Sequence, residues 1–295
     1  MVDVLPYYIV DVFAEEKYAG NQLAVIMCAK DIPDDQKQKI AREMNFSETT
    51  FILSDKKENN GYNVRIFTPN QELPFAGHPT LGTAYVIQRE FIKKPVKDLI
   101  LNLKVGQIPV AIDYERRTPE TLWMHQVPPI FGQTFERKGI SEVLNLEEDE
   151  IDSYPIQDVS TGVHFIIVPL RSIEALKKAR IQREKYFDLV KSKEAKGILI
   201  FCPQAHIPGR DISVRVFVDY YGIPEDPATG SGNGCLAGYL VKHRYFERGD
   251  INIRVEQGFE IGRPSLLLLR AQDFVDKIDV YVGGKVVMVA KGELY

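Results

Sequence analysis

Short runs of β-branched and aromatic residues, separated by Gly, Pro, Asn and Asp, dominate the chain and predict many strands. Residues 63–67 alternate between polar and apolar side chains, as a half-buried strand does. Helices are predicted in fewer places. The amphipathic pattern at residues 33–44 predicts one helix, Ser172 is placed to cap a second that ends at Ala179, and residues 184–193 predict a third.

Two further segments predict helices of another kind. Residues 79–88 and 234–241 are apolar nearly all round and rich in small side chains. A helix without a polar face is buried on every side. Each segment follows a glycine-rich turn and has a predicted strand a little upstream, so both are expected at the centre of a folded unit.

These segments belong to an internal repeat. Residues 65–87 (RIFTPNQELPFAGHPTLGTAYVI) and 215–241 (RVFVDYYGIPEDPATGSGNGCLAGYLV) both run from Arg through a short strand, an acidic Pro-containing loop and a Gly turn into a small-residue helix. A weaker echo relates residues 18–26 to residues 159–167. The repeat predicts two similar domains, joined in the polar stretch near residues 114–119. One large mixed domain with chance similarity is the alternative.

Composition and charge limit the classes of protein to which the chain can belong. A chain of 295 residues with 44% hydrophobic and 26% charged residues is expected to form about two globular domains. A net charge of −4 argues against a broad surface for nucleic acid or an anionic membrane. No apolar run is long enough to span a bilayer, the first residues lack a basic signal-peptide region, and the three cysteines are scattered, so we expect a cytoplasmic protein without disulfides.

The repeat also suggests chemistry. A helix start carries unpaired N–H groups and about half a positive charge, so two such starts facing each other would bind a small anion, for example a substrate carboxylate. Gly77, Gly230 and Gly232 would allow a ligand to approach the backbone closely. The alternative is that these glycines only permit turns.

Two polar residues stand out in the first half. Glu48 precedes a predicted strand between Phe46 and Phe51, and apolar neighbours favour a protonated carboxyl that can exchange a proton with a substrate. His78 follows Gly77 at the helix start, where the helix dipole favours the neutral imidazole. The alternatives are an exposed strand-edge glutamate and a capping or packing histidine.

Asp226 and Ser231 flank the second Gly turn, where they are either site residues or simple helix caps. The five histidines show no metal-ligand spacing, so no metal is expected. Residues 232–237 match a loose G-x-G-x-x-A dinucleotide pattern, but the loop from Val218 to Gly232 is too long for the tight turn of such a site. No nucleotide cofactor is therefore expected.

Four segments, VDVFAEEKYAGNQLAVI, NFSETTFI, PFAGHPTLGTA and DPATGSGNG, resemble the PhzF family of phenazine-biosynthesis-like isomerases, and the resemblance covers the whole chain. One departure is Gln22, where the family usually has Pro. The resemblance implies a diaminopimelate-epimerase-like α+β fold: two similar pseudo-symmetric domains, each a curved, mostly antiparallel sheet around a central helix. It places them at residues 1–116, completed by a strand at about 284–295, and at residues 117–283. It also implies a homodimer without a cofactor.

The resemblance implies site roles as well. In related two-cysteine epimerases a thiol stands at each helix start, but those positions here are Ala76 and Thr229. The family's proton-shuttling glutamate aligns with Glu48. Its assisting groups align with His78, Asp226 and Ser231, and its contacts to the substrate carboxylate align with Gly77 and Gly230.

The expected function is therefore a cofactor-independent isomerase that moves a proton on a small carboxylic acid, with Glu48 as the single acid and base in an interdomain cleft. Two alternatives remain from the sequence. One is an amino-acid or hydroxy-acid epimerase or racemase, which would need a second acid or base. The other is a non-enzymatic protein that binds small anions or other proteins.

Overall fold

The computed structural model describes residues 4–274 and 276–295. Its strands are β1 (Leu5–Val12), β2 (Asn21–Ile26), β3 (Glu48–Ile52), β4 (Tyr62–Phe67), β5 (Glu72–Leu73), β6 (Asp98–Leu103), β7 (Gly106–Glu115), β8 (Thr118–His125), β9 (Ile130–Phe135), β10 (Ile156–Ser160), β11 (His164–Pro169), β12 (Gly197–Cys202), β13 (Ile212–Val218), β14 (Ile223–Asp226), β15 (Asp250–Gln257), β16 (Ser265–Asp273), β17 (Ile278–Gly284) and β18 (Val286–Leu294). The α-helices are α1 (Asp34–Met44), α2 (Gly77–Ile87), α3 (Arg137–Leu144), α4 (Ile173–Lys178), α5 (Arg183–Val190) and α6 (Gly230–Lys242). No helix within the described ranges is both long and apolar enough to cross a bilayer.

The chain divides into two compact units. The first holds the residues up to Met124 together with Gly283–Tyr295, and the second is His125–Val282. Residues 114–119, predicted as a join, form the turn of the β7–β8 hairpin, where Arg116 and Arg117 adopt positive φ. The domain limits drawn from the sequence resemblance stay a prediction.

In the first unit, β1 pairs antiparallel with β2, and β2 lies parallel to β3. Strand β3 then pairs antiparallel with β4, β4 lies parallel to β6, and β6 pairs antiparallel with β7. Strand β18 adds an antiparallel neighbour along the whole of β1. Helix α1 forms the crossover between β2 and β3, and α2 forms the crossover that precedes β6.

The second unit repeats this order of pairings. Strands β10 and β11 are antiparallel, β11 and β12 parallel, β12 and β13 antiparallel, β13 and β15 parallel, and β15 and β16 antiparallel. Helices α4 and α5 form its first crossover and α6 its second. The predicted internal repeat is thus a repeat of topology, and the predicted α+β fold class is confirmed.

Each unit has an almost completely buried helix at its centre. Every residue of α2 is buried, as are all of α6 except Ser231 and Lys242. Helix α2 packs so closely that a Cβ atom on Gly82 would lie 2.6 Å from Cδ2 of Leu23. The prediction of two helices without a polar face is confirmed.

The sequence set the start of both central helices too late. Helix α2 begins at Gly77 and α6 at Gly230, so the glycines interpreted as turns form the first helical turns. Glycine has low helix propensity, but burial of the whole helix overrides it. The predicted surface helices are confirmed as α1, α4 and α5, whereas α3 was not predicted.

Candidate functional site

Glu48 and His78 lie side by side in the first unit. Glu48 is the first residue of β3, and His78 is the second residue of α2. Oε2 of Glu48 lies 3.4 Å from Nε2 of His78, and the side chains are only 14% and 7% exposed. Two residues that are distant in sequence and were predicted to act together are therefore in contact.

Burial keeps the imidazole of His78 neutral. Desolvation lowers its pKa to about 3, against the opposing effect of a hydrogen bond to the backbone of Gln22. Nε2 has no hydrogen bond to any described residue, so we assign the Gln22 bond to Nδ1. Nε2 is then an acceptor, and a proton on the carboxyl of Glu48 would turn the contact into a hydrogen bond.

The start of α2 has neither a capping side chain nor a negative charge. Ala76 at its N-cap makes no side-chain cap bond, and the first turn carries no acidic residue. Both the amide and the hydroxyl of Thr80 bond to the carbonyl of Ala76, at 3.3 and 2.7 Å. Pro79 has no N–H, so Gly77 and His78 supply the first amides of the helix.

The other predicted residues gather at the start of α6 in the second unit. Asp226 ends β14 and is buried, and its Oδ2 accepts a hydrogen bond from the hydroxyl of Thr229. Gly230 begins the helix, followed by the partly buried Ser231 and the buried Gly232. The structure therefore places Glu48, Gly77 and His78 together in one unit, and Asp226, Gly230, Ser231 and Gly232 together in the other. Their catalytic and binding roles stay predictions.

The sequence analysis did not predict a buried network of amide hydrogen bonds next to Asp226. Gln257 donates from Nε2 to the carbonyl of Asp226 at 2.7 Å and to Oγ1 of Thr229 at 3.0 Å. Its Oε1 accepts from the amide of Thr229 at 3.2 Å and from Nδ2 of Asn233 at 2.8 Å. Gln257 lies outside the repeated segments that indicated the site, so its role had no local signal.

A matching ion pair supports the loop before each central helix. Arg65 binds Glu72 through two bonds of 2.7 and 2.6 Å, and Arg215 binds Glu225 through two of 3.0 and 2.8 Å. Each arginine also reaches the first crossover of its own unit, Arg65 at Asp34 and Arg215 at two carbonyls of α4 and its end. Both arginines opened the predicted repeat, so this signal was present in the sequence.

Cys235 lies within α6 and is fully buried. Burial raises the pKa of its thiol to about 12, and the sulfur contacts the carbonyl of Val163 at 3.4 Å. At neutral pH the group is therefore a protonated thiol packed in the core. The positions at the two helix starts, Ala76 and Thr229, carry no thiol.

The first unit has a cavity of 620 Å³ that is separate from the predicted site residues. Strand β18, Glu15, Lys17 and Arg89 are among its lining residues, and none of the predicted site residues is. Helix-start geometry and buried polar contacts, rather than cavity size, therefore define the candidate site. Within residues 4–274 and 276–295, no three His, Cys, Asp or Glu side chains are arranged to hold a metal ion.

Comparisons with known proteins agree with the sequence motifs. A family model described as phenazine biosynthesis-like protein, PhzC-PhzF, matches residues 10–292. The chain is 33% identical over 290 residues to the trans-2,3-dihydro-3-hydroxyanthranilate isomerase of Pseudomonas aeruginosa, covering 98% of this chain and 99% of that one. It is 32% identical to an uncharacterised isomerase of Clostridium acetobutylicum, covering 97% of each.

Solved structures show the same likeness. The PhzF-family phenazine biosynthesis protein of Bacillus anthracis matches with a TM-score of 0.90 at 25% identity, covering 100% of both chains. A hydroxyproline epimerase from Agrobacterium vitis matches with a TM-score of 0.65 at 11% identity, covering 99% of this chain and 91% of that one. The second likeness concerns the fold alone.

Proposed function

Because the chain belongs to the phenazine biosynthesis-like PhzC-PhzF family, as its motifs predicted, we propose that it is an isomerase that moves a proton between two carbons of a small, conjugated carboxylic acid. The observation that carries this proposal is the contact of 3.4 Å between Glu48 and His78. A largely buried carboxyl beside a neutral imidazole is equipped to take a proton and to return it.

The substrate carboxylate would bind to the first amides of α2, the buried central helix of the first unit. The central helix of the second unit, α6, has the same kind of start. Gly77 and Gly230 begin these helices, and neither helix has an acidic residue in its first turn. Fixed N–H dipoles of this kind hold an anion without lysine or arginine. They also stabilise negative charge that develops on the substrate during the reaction, which is commonly a large part of catalysis.

Glu48 acts as the base and then as the acid. Its carboxylate takes a proton from an sp³ carbon, the electrons of that C–H bond form a new C=C bond, and the neighbouring π electrons shift along the conjugated system. The carboxyl of Glu48 then returns the proton to the far carbon on the same face. Between the two steps the protonated carboxyl donates to Nε2 of His78. Asp226 and Ser231, at the start of α6, are proposed as assisting groups.

The relative from P. aeruginosa suggests the first compound to assay, trans-2,3-dihydro-3-hydroxyanthranilate. It fits the proposed chemistry because it combines a carboxylate with a partly conjugated ring. We further propose that the enzyme is a cytoplasmic homodimer that needs no cofactor. Light scattering after gel filtration tests the dimer, and activity after exhaustive dialysis against a chelator tests the absence of a cofactor.

The variant Glu48→Gln tests the role of the carboxyl. We expect kcat to fall by roughly 10³-fold or more, with the dissociation constant of the substrate changed by less than about threefold, because the amide keeps the shape but cannot carry the proton. Glu43→Gln is a matched control, since Glu43 is an exposed carboxylate on nearby α1. Near-wild-type turnover in Glu48→Gln would contradict the proposal.

The position of the transferred proton tests the reaction type. In D₂O, a single base predicts deuterium, or partly retained protium, at the far carbon of a product whose double bond has moved. Inverted configuration at the original carbon without movement of the double bond would instead show epimerisation. Tight binding without turnover of any compound in a broad carboxylate panel would show a binding protein.

A further inference from the structure

The loop that follows Asp226 contacts the ends of strands β15 and β16. The hydroxyl of Ser265, at the start of β16, donates to the carbonyl of Pro227 at 2.9 Å. Gly258, directly after β15, has a φ of +78°, and a Cβ atom there would lie 2.6 Å from the same carbonyl. Residues that are distant in sequence therefore contact the backbone of the loop and fix its position.

Gln257 is the centre of this support. Its side chain is 1% exposed, and its two donors and two acceptor positions are all used by Asp226, Thr229 and Asn233. Full use of a buried amide fixes its rotamer and the groups around it. Asn233 adds a bond of 3.0 Å from Nδ2 to the carbonyl of Thr229, which closes the network on the first turn of α6.

The amide of Gln257 can point in only one direction. A reversed amide would set its oxygen against the carbonyl of Asp226 and its NH₂ group against the amide of Thr229, so both contacts would become repulsive. With the observed direction, the hydroxyl of Thr229 accepts from Nε2 of Gln257. Its own proton is then free to point at Oδ2 of Asp226, the contact that the structure contains.

We propose that Gln257 is a positioning residue that orients the carboxylate of Asp226 and the first turn of α6 through Thr229, without touching the substrate. The inference rests on the proposed function insofar as Asp226 and this helix start serve catalysis. The first unit lacks the arrangement, because Leu73 and Ala76 stand at the positions that correspond to Asp226 and Thr229 when counted from the first glycine of each helix. The support is thus specific to the second unit.

Gln257→Leu removes the network, and Gln157→Leu is its matched control. Gln157 is a strand residue of the same unit that bonds to Gly132 and to His243, which follows the last residue of α6, at the opposite end of the helix from Gly230. We expect kcat of Gln257→Leu on trans-2,3-dihydro-3-hydroxyanthranilate to fall by about 10- to 100-fold with KM changed by less than about threefold, since a misplaced group costs rate more than binding. Gln157→Leu should keep wild-type kinetics.

Gln257→Glu separates positioning from general support of the fold. A protonated Glu keeps one donor and one acceptor in the place of the amide, whereas the ionised form keeps no donor. Activity of this variant, divided by that of the wild type at each pH, should therefore rise on acidification, whereas the same ratio for Gln257→Leu stays flat. Dividing by the wild type removes the pH dependence that both proteins share, including any from the nearby charged groups Asp226, Glu256 and His206.

Hydrogen exchange tests the same inference without an assay of turnover. The amides of residues 226–234 should exchange faster in Gln257→Leu than in the wild type, and at the wild-type rate in Gln157→Leu. If both Gln257→Leu and Gln257→Glu matched the control in exchange and kinetics, the inference would be wrong. A wild-type protein without isomerase activity would contradict the proposed function alone, and the exchange result would still decide the role of Gln257.

Discussion

His78 and Ser231 occupy the same position in the two units: each is the second residue of the buried central helix, directly after the glycine that begins it. The duplicated backbone therefore presents two different side chains from equivalent places. In the first unit the imidazole contacts Glu48. In the second the corresponding side chain is a partly buried hydroxyl, so the two copies of one topology have diverged in chemistry at the residues proposed to act on substrate.

The buried neutral imidazole of His78 makes stability depend on pH. Its pKa is about 3 in the folded protein and near 6.5 in an unfolded chain, so the unfolded state binds the extra proton. Its contribution is complete above pH 6.5 and is lost as the pH falls towards 3. We expect the wild type to lose about 3 kcal/mol more than His78→Gln between pH 6.5 and about pH 4, measured by urea unfolding.

His125→Gln is the control for this prediction, because His125 is 44% exposed. Its unfolding free energy, measured in the same way, shows how much of the change comes from removing an exposed histidine. Parallel curves for the wild type and His78→Gln would show that the His78 imidazole protonates in the folded protein.

The two arginine–glutamate pairs should differ in their effect on stability. Arg215 is 4% exposed and Arg65 is 21% exposed. When Arg65 is removed, Glu72 keeps an ion pair with Lys104, whereas Glu225 has no second ion pair among the described residues. We expect Arg215→Met to cost about 3–5 kcal/mol and Arg65→Met about 1 kcal/mol in urea unfolding. The double variant Arg215→Met/Glu225→Leu should recover part of the loss, and a larger cost at Arg65 would contradict the burial argument.

Two helical glycines should respond to alanine in opposite ways. A methyl group on Gly82 would lie 2.6 Å from Cδ2 of Leu23 and 2.9 Å from Cγ2 of Val12, whereas one on Gly139 in α3 meets no atom within 4 Å. Thermal unfolding should show Gly82→Ala destabilised by about 1–3 kcal/mol through overpacking. Gly139→Ala should be stabilised by about 0.5–1 kcal/mol through helix propensity. Stabilisation of both would mean that α2 has more room than its neighbours indicate.

Thiol labelling separates the proposed chemistry from that of a two-cysteine epimerase. Cys28 is exposed, whereas Cys202 and Cys235 are buried, with pKa values that burial raises to about 11 and 12. N-ethylmaleimide should therefore add to Cys28 alone in the native protein, as mass spectrometry would show, and activity should persist. All three cysteines should react after denaturation, and loss of activity on native labelling would implicate a thiol in turnover.

Much of the fold could be predicted because its features are local or repeated. The apolar, small-residue pattern predicted both central helices, and the matching order of Arg, strand, acidic loop and helix predicted the repeated topology. Helix α3 was missed, although Ile140, Val143 and Leu144 form its buried face. Its eight residues span only about two turns, too few to make a helical period distinct from the surrounding polar sequence.

The candidate site likewise has a part that short sequence motifs predicted and a part that they did not. Glu48 and His78 were found because each lies in a short motif, and the structure then showed their contact. Gln257 was missed because a helix and a strand separate it in the sequence from its partners at residues 226–233. No local sequence pattern marks a residue that only positions another side chain. Support of this kind follows from chain topology, which one sequence does not display.

Complete burial of α2 also bears on how ionic strength affects the protein. Mobile ions screen charges at an exposed surface over roughly 8–10 Å, and they screen charges in a packed interior much less. The field at its N-terminus is therefore an internal property of the fold, set by peptide dipoles rather than by lysine or arginine side chains. A carboxylate held there should stay bound at salt concentrations that would release it from a basic surface patch.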